Sequence, residues 1–458
     1  MRVKSLLFAL AAAGALACTG CRGGGQDVPL PPATPFAPEV ATEVHAIRDL
    51  AAQARGLKVA DKITEGSITR DQLKGYYDET AAQSRESDDN NELAAWNTAL
   101  RLMQMIEPGQ DALQQTTSDN AANVVGLYFF DDNDLVLVDD GGAPLSLDDD
   151  LTLAHEYVHS FQDASFDIDH LRDLEKKEKD DKLNTEYSTT VDALMEGDAQ
   201  VASIDYLGLK LGKNAFADWL QSSAGGAAPQ DTTTETALDR YAAFPYREGL
   251  QFVLYLWWKG GWEQVNKAYA DPPTTTEQIL HPDRYLVHDE PLGLKLPDLS
   301  DKLGDGWKQI DDSVFGEFDV YNYIRTRTDD EQGARKAADG WAGGRMAVYA
   351  DEPDTDRVLL HLVLSWDNAD EAKEFYSSFQ LHVKSLEDPQ HTAINWASGD
   401  LQTQRILWDG EDEHIYGWLD GQNFRAIFAV QQSDLEQAMS TLAPGVSGDN
   451  MSAGFESQ

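Results

Sequence analysis

The sequence predicts an α+β protein: a mainly helical domain carrying a small sheet, then a smaller α+β domain. Three observations carry this. Apolar residues recur at helical spacing through most of the chain up to about residue 290. One stretch inside that region, Val124 to Asp139, reads instead as a β-hairpin. From about residue 300 the texture becomes short apolar strands broken by turns, with helical stretches among them. A chain of 458 residues also exceeds one ordinary core, so two globular parts are expected.

Residues 1–20 read as a signal peptide. Met1-Arg2-Val3-Lys4 is a short basic start, and Ser5 to Ala17 is apolar and ends in small residues. The apolar run is too short for a stable transmembrane helix. The only two cysteines, Cys18 and Cys21, close this leader. Thr19-Gly20-Cys21 fits the small-residue rule for a bacterial lipoprotein, in which the cysteine becomes the lipidated first residue. Cys18 after Ala15-Leu16-Ala17 is the alternative, and a plain secretory cleavage site is the bland one. The expected location is the bacterial cell envelope, on the periplasmic or cell-surface side, with the membrane touched through the lipid only. The mature chain keeps no cysteine pair, so no disulfide stabilises it.

Residues 21–40, rich in Gly and Pro, are expected to form an extended tether. The first domain is expected over 41–295. Val44, Ile47, Leu50, Ala51 and Ala54 mark a first helix. Leu73 and Tyr76 lie in a second, and Leu93, Trp96, Leu100 and Met103 in a third. The hairpin follows, then a helix from Leu151 to Phe161. The charge-dense run from Asp167 to Glu186 reads as solvated, and Thr189 to Leu207 is again helical. Ser222 to Glu235 is low in complexity. Glu248 to Trp258 is an apolar helix whose Trp257-Trp258 pair reads as core. The second domain is expected over 300–444. Its strands fall at Met346–Ala350, Val358–Trp366, Thr403–Trp408, His414–Leu419 and Phe424–Val430; its helices lie at Asp370–Leu386 and Asp434–Leu442. Residues 445–458 should be a loose tail.

The charge balance is 36 basic against 80 acidic residues, a formal net of −44. Phosphate-rich partners would be repelled, which argues against nucleic acid.

The helix from Leu151 to Phe161 contains His155-Glu156-Tyr157-Val158-His159. Residues four apart share a helix face, so His155 and His159 can offer two imidazole nitrogens to one tetrahedral Zn²⁺. Glu156 stands beside that face, placed to act as a general base. Two histidines leave such a site incomplete. Asp163 and His170 are possible third ligands, but Glu196, in Leu194-Met195-Glu196-Gly197-Asp198-Ala199, is the best placed. Small Gly197 and Ala199 would let its helix approach the first. Asp192 and Asp198 could each accept the outer N–H of a ligand histidine.

These segments resemble the two zinc-binding stretches of a family of bacterial exported HExxH metallopeptidases, similar to gluzincins of the peptidase-MA kind. The resemblance continues in Phe244-Pro245-Tyr246-Arg247-Glu248-Gly249, in Gly260-Gly261-Trp262 and in Asp271 to Pro282. It covers roughly residues 41 to 290. It implies a zincin-like first domain, one Zn²⁺ and a peptide or protein substrate. In zincins a strand above the metal commonly pairs with substrate; the hairpin is either that strand or a plain sheet strand. His281 is the first candidate for an oxyanion donor, with Tyr246, Tyr285 and Arg247 behind it. The rival expectation is a non-enzymatic envelope lipoprotein with a structural or vestigial zinc site and a partner-binding second domain. Oligomeric state is not legible.

Overall fold

The computed structural model describes residues 28–59, 62–86, 88, 92–139, 145–168, 171, 186–226, 235–351, 357–398 and 403–442. The leader with Cys18 and Cys21, His170, most of the charge-dense run and the C-terminal tail lie outside the described residues. The described chain forms two units. One gathers the residues before Asp88 with 111–289; the other gathers 88–110 with the residues from 290 on.

The first unit opens with α1 (Pro38–Arg55), which starts inside the stretch expected as tether. Upstream of it Val28 is buried, and Thr34 bridges Ser67. That contact completes β1 (Thr64–Ile68), a strand the sequence does not announce. Its Gly66 is required by proximity: a Cβ there would stand 2.7 Å from the Thr34 carbonyl oxygen. Next come α2 (Arg70–Glu86) and α3 (Glu92–Leu102). Residues 88–110, expected in the first domain, belong with the second unit, so α3 is placed there. Helix α4 (Ala112–Asn123) leads into the expected hairpin, β2 (Gly126–Phe129) and β3 (Asp134–Val138). The sheet order is β1-β3-β2, with β1 parallel and β2 antiparallel to β3. Ile68, Leu73, Tyr77, Leu127, Phe129 and Val136 form the core on one face. The alternate residues of β2 face α5 (Leu147–Ser165).

Three long helices follow. The first, α5, begins at a capping box: Asp149 donates its backbone N–H to Ser146, whose own N–H is accepted by the Asp149 carboxylate. Helix α6 (Tyr187–Gly226) is broken at Gly212, where φ is 73°. Helix α7 (Ala237–Ala270) is broken at Gly260 and Gly261. The Trp257-Trp258 pair is a correction: Trp258 is 74 % exposed on α7 and Trp257 39 %. The apolar face of that helix is already filled by Phe252, Val253 and Leu256, which are fully buried. Short helices α8 (Thr276–Leu280) and α9 (Pro282–Leu286) close the unit.

The second unit adds α10 (Ser300–Leu303), β4 (Trp307–Val314), α11 (Glu317–Arg325) and α12 (Glu331–Ala338). Then come β5 (Trp341–Asp351), β6 (Val358–Trp366) and α13 (Ala369–Lys384). It ends with β7 (Ile394–Ser398), β8 (Thr403–Asp409), β9 (His414–Asp420), β10 (Asn423–Ala429) and α14 (Gln432–Leu442). The strands form one seven-stranded antiparallel sheet, ordered β4-β5-β6-β10-β9-β8-β7. Ala347, Tyr349, Leu359, Leu407, Tyr416, Ile427 and Ala429 point to the face covered by α10 and α14. Trp366, Phe424 and Phe428 point the other way and meet Phe375 and Phe379 of α13 and Tyr323 of α11. The α+β architecture expected from the sequence is therefore what the chain adopts.

Candidate metal centre

Helices α5 and α6 bring His155, His159 and Glu196 together. His155 Nε2 lies 3.0 Å from Glu196 Oε2 and 3.1 Å from His159 Nε2; His159 Nε2 lies 3.6 Å from the same carboxylate oxygen. Tetrahedral zinc with bonds of about 2.0–2.2 Å sets its ligands roughly 3.3–3.6 Å apart. The three donor atoms match that spacing to within a few tenths of an ångström. Side-chain exposure is 14 % for His155, 2 % for Glu196 and nil for His159, so the open side lies at His155.

A chain of hydrogen bonds decides which nitrogen of His159 is free to bind a cation. The side-chain Nε2 of Gln162 donates to the Met195 carbonyl and to the Asp198 carboxylate, both acceptors only. This fixes the amide orientation, so Gln162 Oε1 must face His159 Nδ1, 2.9 Å away. Nδ1 therefore carries a proton, and Nε2 is the nitrogen that faces the centre and is given up to a cation. Asp198 is itself held by Arg55, with both side chains fully buried, and by the Tyr269 hydroxyl at 2.7 Å. Arg55 also donates to Asn266 Oδ1 at 2.7 Å.

The donor set fits a divalent cation on two further observations. Glu196 Oε1 and Glu156 Oε2 are both buried and lack a hydrogen-bond partner among the described residues. Buried acceptors of this kind are costly unless a cation, a water or a substrate group meets them. Burial opposes the charge of Glu196, but His159 and His155 outweigh it and hold its carboxyl at about 2. Burial would lower His159, yet Glu196, Glu156 and Gln162 together raise it to about 9. Glu156 is lifted to about 7, mainly by burial, against the pull of both histidines.

Glu156 is reached by the sheet. The Tyr128 backbone N–H donates to its carboxylate. Val138 N–H bonds the Val125 carbonyl, so on edge strand β2 the backbone groups of Gly126 and Tyr128 point away from β3. Gly126 must lack a side chain: a Cβ would sit 2.6 Å from Thr152 and 3.1 Å from Glu156. The Tyr128 hydroxyl donates to Asp163 at 2.8 Å, which turns that acid, one of the alternative ligands, toward the hairpin.

The other candidates separate. Of the four oxyanion candidates, Tyr246 is the one whose ring meets a metal ligand: it stacks on His155 with centroids 6.5 Å apart. Tyr285 donates its hydroxyl to the Asp271 carbonyl at 2.8 Å, and packs edge-on against Phe252. His281 joins α8 to α9 and is not a member of the cluster around Glu196. Arg247 pairs with Glu235. The outer nitrogen of His159 goes to Gln162, not to Asp192 or Asp198; Asp198 acts one bond further out, through Gln162. Gly197 does not serve the α5–α6 contact as expected. Its Cβ would meet the Gly249 carbonyl of α7 at 2.1 Å, and a Cβ on Gly249 would meet the Ala193 carbonyl at 2.2 Å. Gln162, Arg55 and Tyr269 were missed. Gln162 had a usable signal, standing three residues past His159 on the ligand face; Arg55 and Tyr269 had none.

Residues 304–439 match a family described as domain of unknown function (DUF8575). The match lies outside the helices that carry the cluster. No curated protein and no solved structure matches the chain.

Proposed function

We propose that the chain is a single-zinc metallopeptidase, with His155, His159 and Glu196 as ligands and Glu156 as general base. The observation that carries this is the convergence of three donor atoms at metal-ligand spacing beside a buried carboxylate with an open oxygen. When bound there, zinc supplies a Lewis acid that polarises a carbonyl and acidifies water. The chain's own groups do the rest. Glu156 Oε2 accepts a proton from the attacking water and passes it to the leaving amine. The Tyr128 N–H holds the other side of that carboxylate in place. The outward backbone groups of Gly126 on β2 offer an edge along which an extended peptide can align. Tyr246, its ring against His155, is the candidate donor for the developing oxyanion. Lipidation at Cys21, or at Cys18, would hold the enzyme at the envelope membrane.

Glu156→Gln should keep zinc and lose peptide hydrolysis by about two to four orders of magnitude. The assay is cleavage of an unbiased peptide library read by mass spectrometry. Hydrolysis at the wild-type rate would remove Glu156 as the base. The rival reading, a structural zinc site in a non-enzymatic lipoprotein, gives no reason for a buried carboxylate with an unbonded oxygen beside the ligands.

A further inference from the structure

The strand registers of the second unit assemble a row of side chains that neither the motif nor the helices explain. Across the sheet, Arg345 of β5 lies opposite Val363 of β6, and Val363 opposite Arg425 of β10. Arg425 lies opposite Trp418 of β9, and Trp418 opposite Arg405 of β8. Arg345, Arg425, Trp418 and Arg405 each lie two residues from one that packs under α10 and α14, and Val363 lies four from Leu359, so all five share that face. The row is Arg–Val–Arg–Trp–Arg, with Val363 buried and the other four half-buried.

Three arginines on one face of a chain with a net charge of −44 are a local inversion of sign. Arg345 is answered by Asp312, 2.5 Å from its Nε. Arg405 bonds the Tyr416 hydroxyl, but its buried Nε has no hydrogen-bond partner among the described residues. Arg425 has neither an ion pair nor a hydrogen bond among the described residues, and it is only half-buried. No acid among the described residues pairs with it.

We propose that this row binds an extended, locally acidic peptide segment, with Arg425 as its central anchor. Neighbouring strands lie about 4.8 Å apart, so successive arginines stand roughly 10 Å apart across the sheet. A peptide in the polyproline II form repeats its side-chain direction every three residues and rises about 3.1 Å per residue, so acids three positions apart face the same way at about that interval. Trp418, half-buried between Arg425 and Arg405, offers the apolar contact between them. Guanidinium groups favour carboxylates through paired N–H donors. The wider negative field repels long polyanions, which selects a short segment with a few carboxylates over nucleic acid or polyphosphate.

The test uses the full chain carrying Glu156→Gln, so that a peptide probe is not consumed. The probe is a fluorescein-labelled synthetic peptide with two Glu three positions apart and Val or Leu between them; its partner has Gln at both positions. Fluorescence anisotropy should show the Glu peptide binding at least tenfold tighter than the Gln peptide. Arg425→Gln should lose that difference, while Lys308→Gln, at an exposed position on β4, keeps it. Thermal unfolding checks that Arg425→Gln still folds; if it does not, Arg405→Gln carries the same expectation. Equal binding of the two peptides, an unchanged preference in the arginine variants, or tighter binding of polyphosphate than of the Glu peptide would each overturn the proposal. None of these outcomes depends on hydrolysis, so the row and the proposed peptidase activity fail independently.

Discussion

Gln162 shows how much of the metal centre is decided one bond away from it. A leucine of similar size at 162 would leave His159 Nδ1 unopposed and free the imidazole to take the wrong tautomer. Gln162→Leu should therefore weaken zinc binding by about ten- to a hundredfold, the usual cost of losing such a partner. Competition with a zinc chelator measures this, and unchanged affinity would mean that the tautomer is set elsewhere. The two histidines and Glu156 could be chosen from spacing alone, because helix geometry fixes which residues share a face; Glu196, on a separate helix, could be chosen only from its setting in Leu194 to Ala199 and the need for a third ligand. The partners of His159 could not. Asp198 was picked for the right region but the wrong bond, since the amide of Gln162 lies between them. Arg55 and Tyr269 reach Asp198 from helices far away in sequence, and no local pattern encodes that.

Helix contact is the next scale up, and it rests on two glycines. Gly197 of α6 and Gly249 of α7 each leave no room for a Cβ against the opposing backbone. Glu196 adjoins that contact, so helix separation and ligand position are linked. Gly249→Ala should destabilise the protein by about 1–3 kcal/mol through overpacking and lower zinc affinity with it. Gly75→Ala is the control of opposite sign. It sits on exposed α2 with open space around its would-be Cβ, and alanine there should add about 0.5–1 kcal/mol. Thermal unfolding and zinc titration of both variants test this; a neutral Gly249→Ala would contradict the close-approach account. The elements with strong periodicity, such as the hairpin and α13, were legible in the sequence. Strand β1 was not, because a parallel partner and the Thr34 bridge hold it rather than its own alternation. Strand β4 was hidden by its polar composition, and it carries a register shift at Gln309/Asp311.

At the scale of the whole molecule, two histidines of the second unit link folding to pH. Burial pushes His361 down to about 3, aided by Arg425, and His382 down to about 3, aided by Arg327. Both ring nitrogens of each are buried without a hydrogen-bond partner among the described residues. Each stays neutral when folded but protonates near its ordinary 6.5 when unfolded. Their contribution is complete above pH 6.5 and is lost as pH falls from there toward 3, by a few kcal/mol each as an order of magnitude. Glu413 and Asp311, raised to about 7 chiefly by burial, act the other way and lose stability as pH rises toward 7. Replacing both histidines with leucine should flatten the acid limb of chemical unfolding between pH 6.5 and 3; an unchanged limb would assign acid sensitivity to other groups. The division into two units was partly legible, from the change of texture near residue 300. The return of 88–110 to the second unit was not, because α3 has an ordinary amphipathic pattern that does not name its partner. The central claim remains that three side chains from α5 and α6 hold one zinc ion. The most direct measurement is zinc per chain in purified wild type, His155→Ala and Glu196→Ala after equilibration with zinc and removal of excess. The account predicts one zinc in wild type and loss of it in both variants; a zinc-free wild type, or full retention in Glu196→Ala, would contradict it.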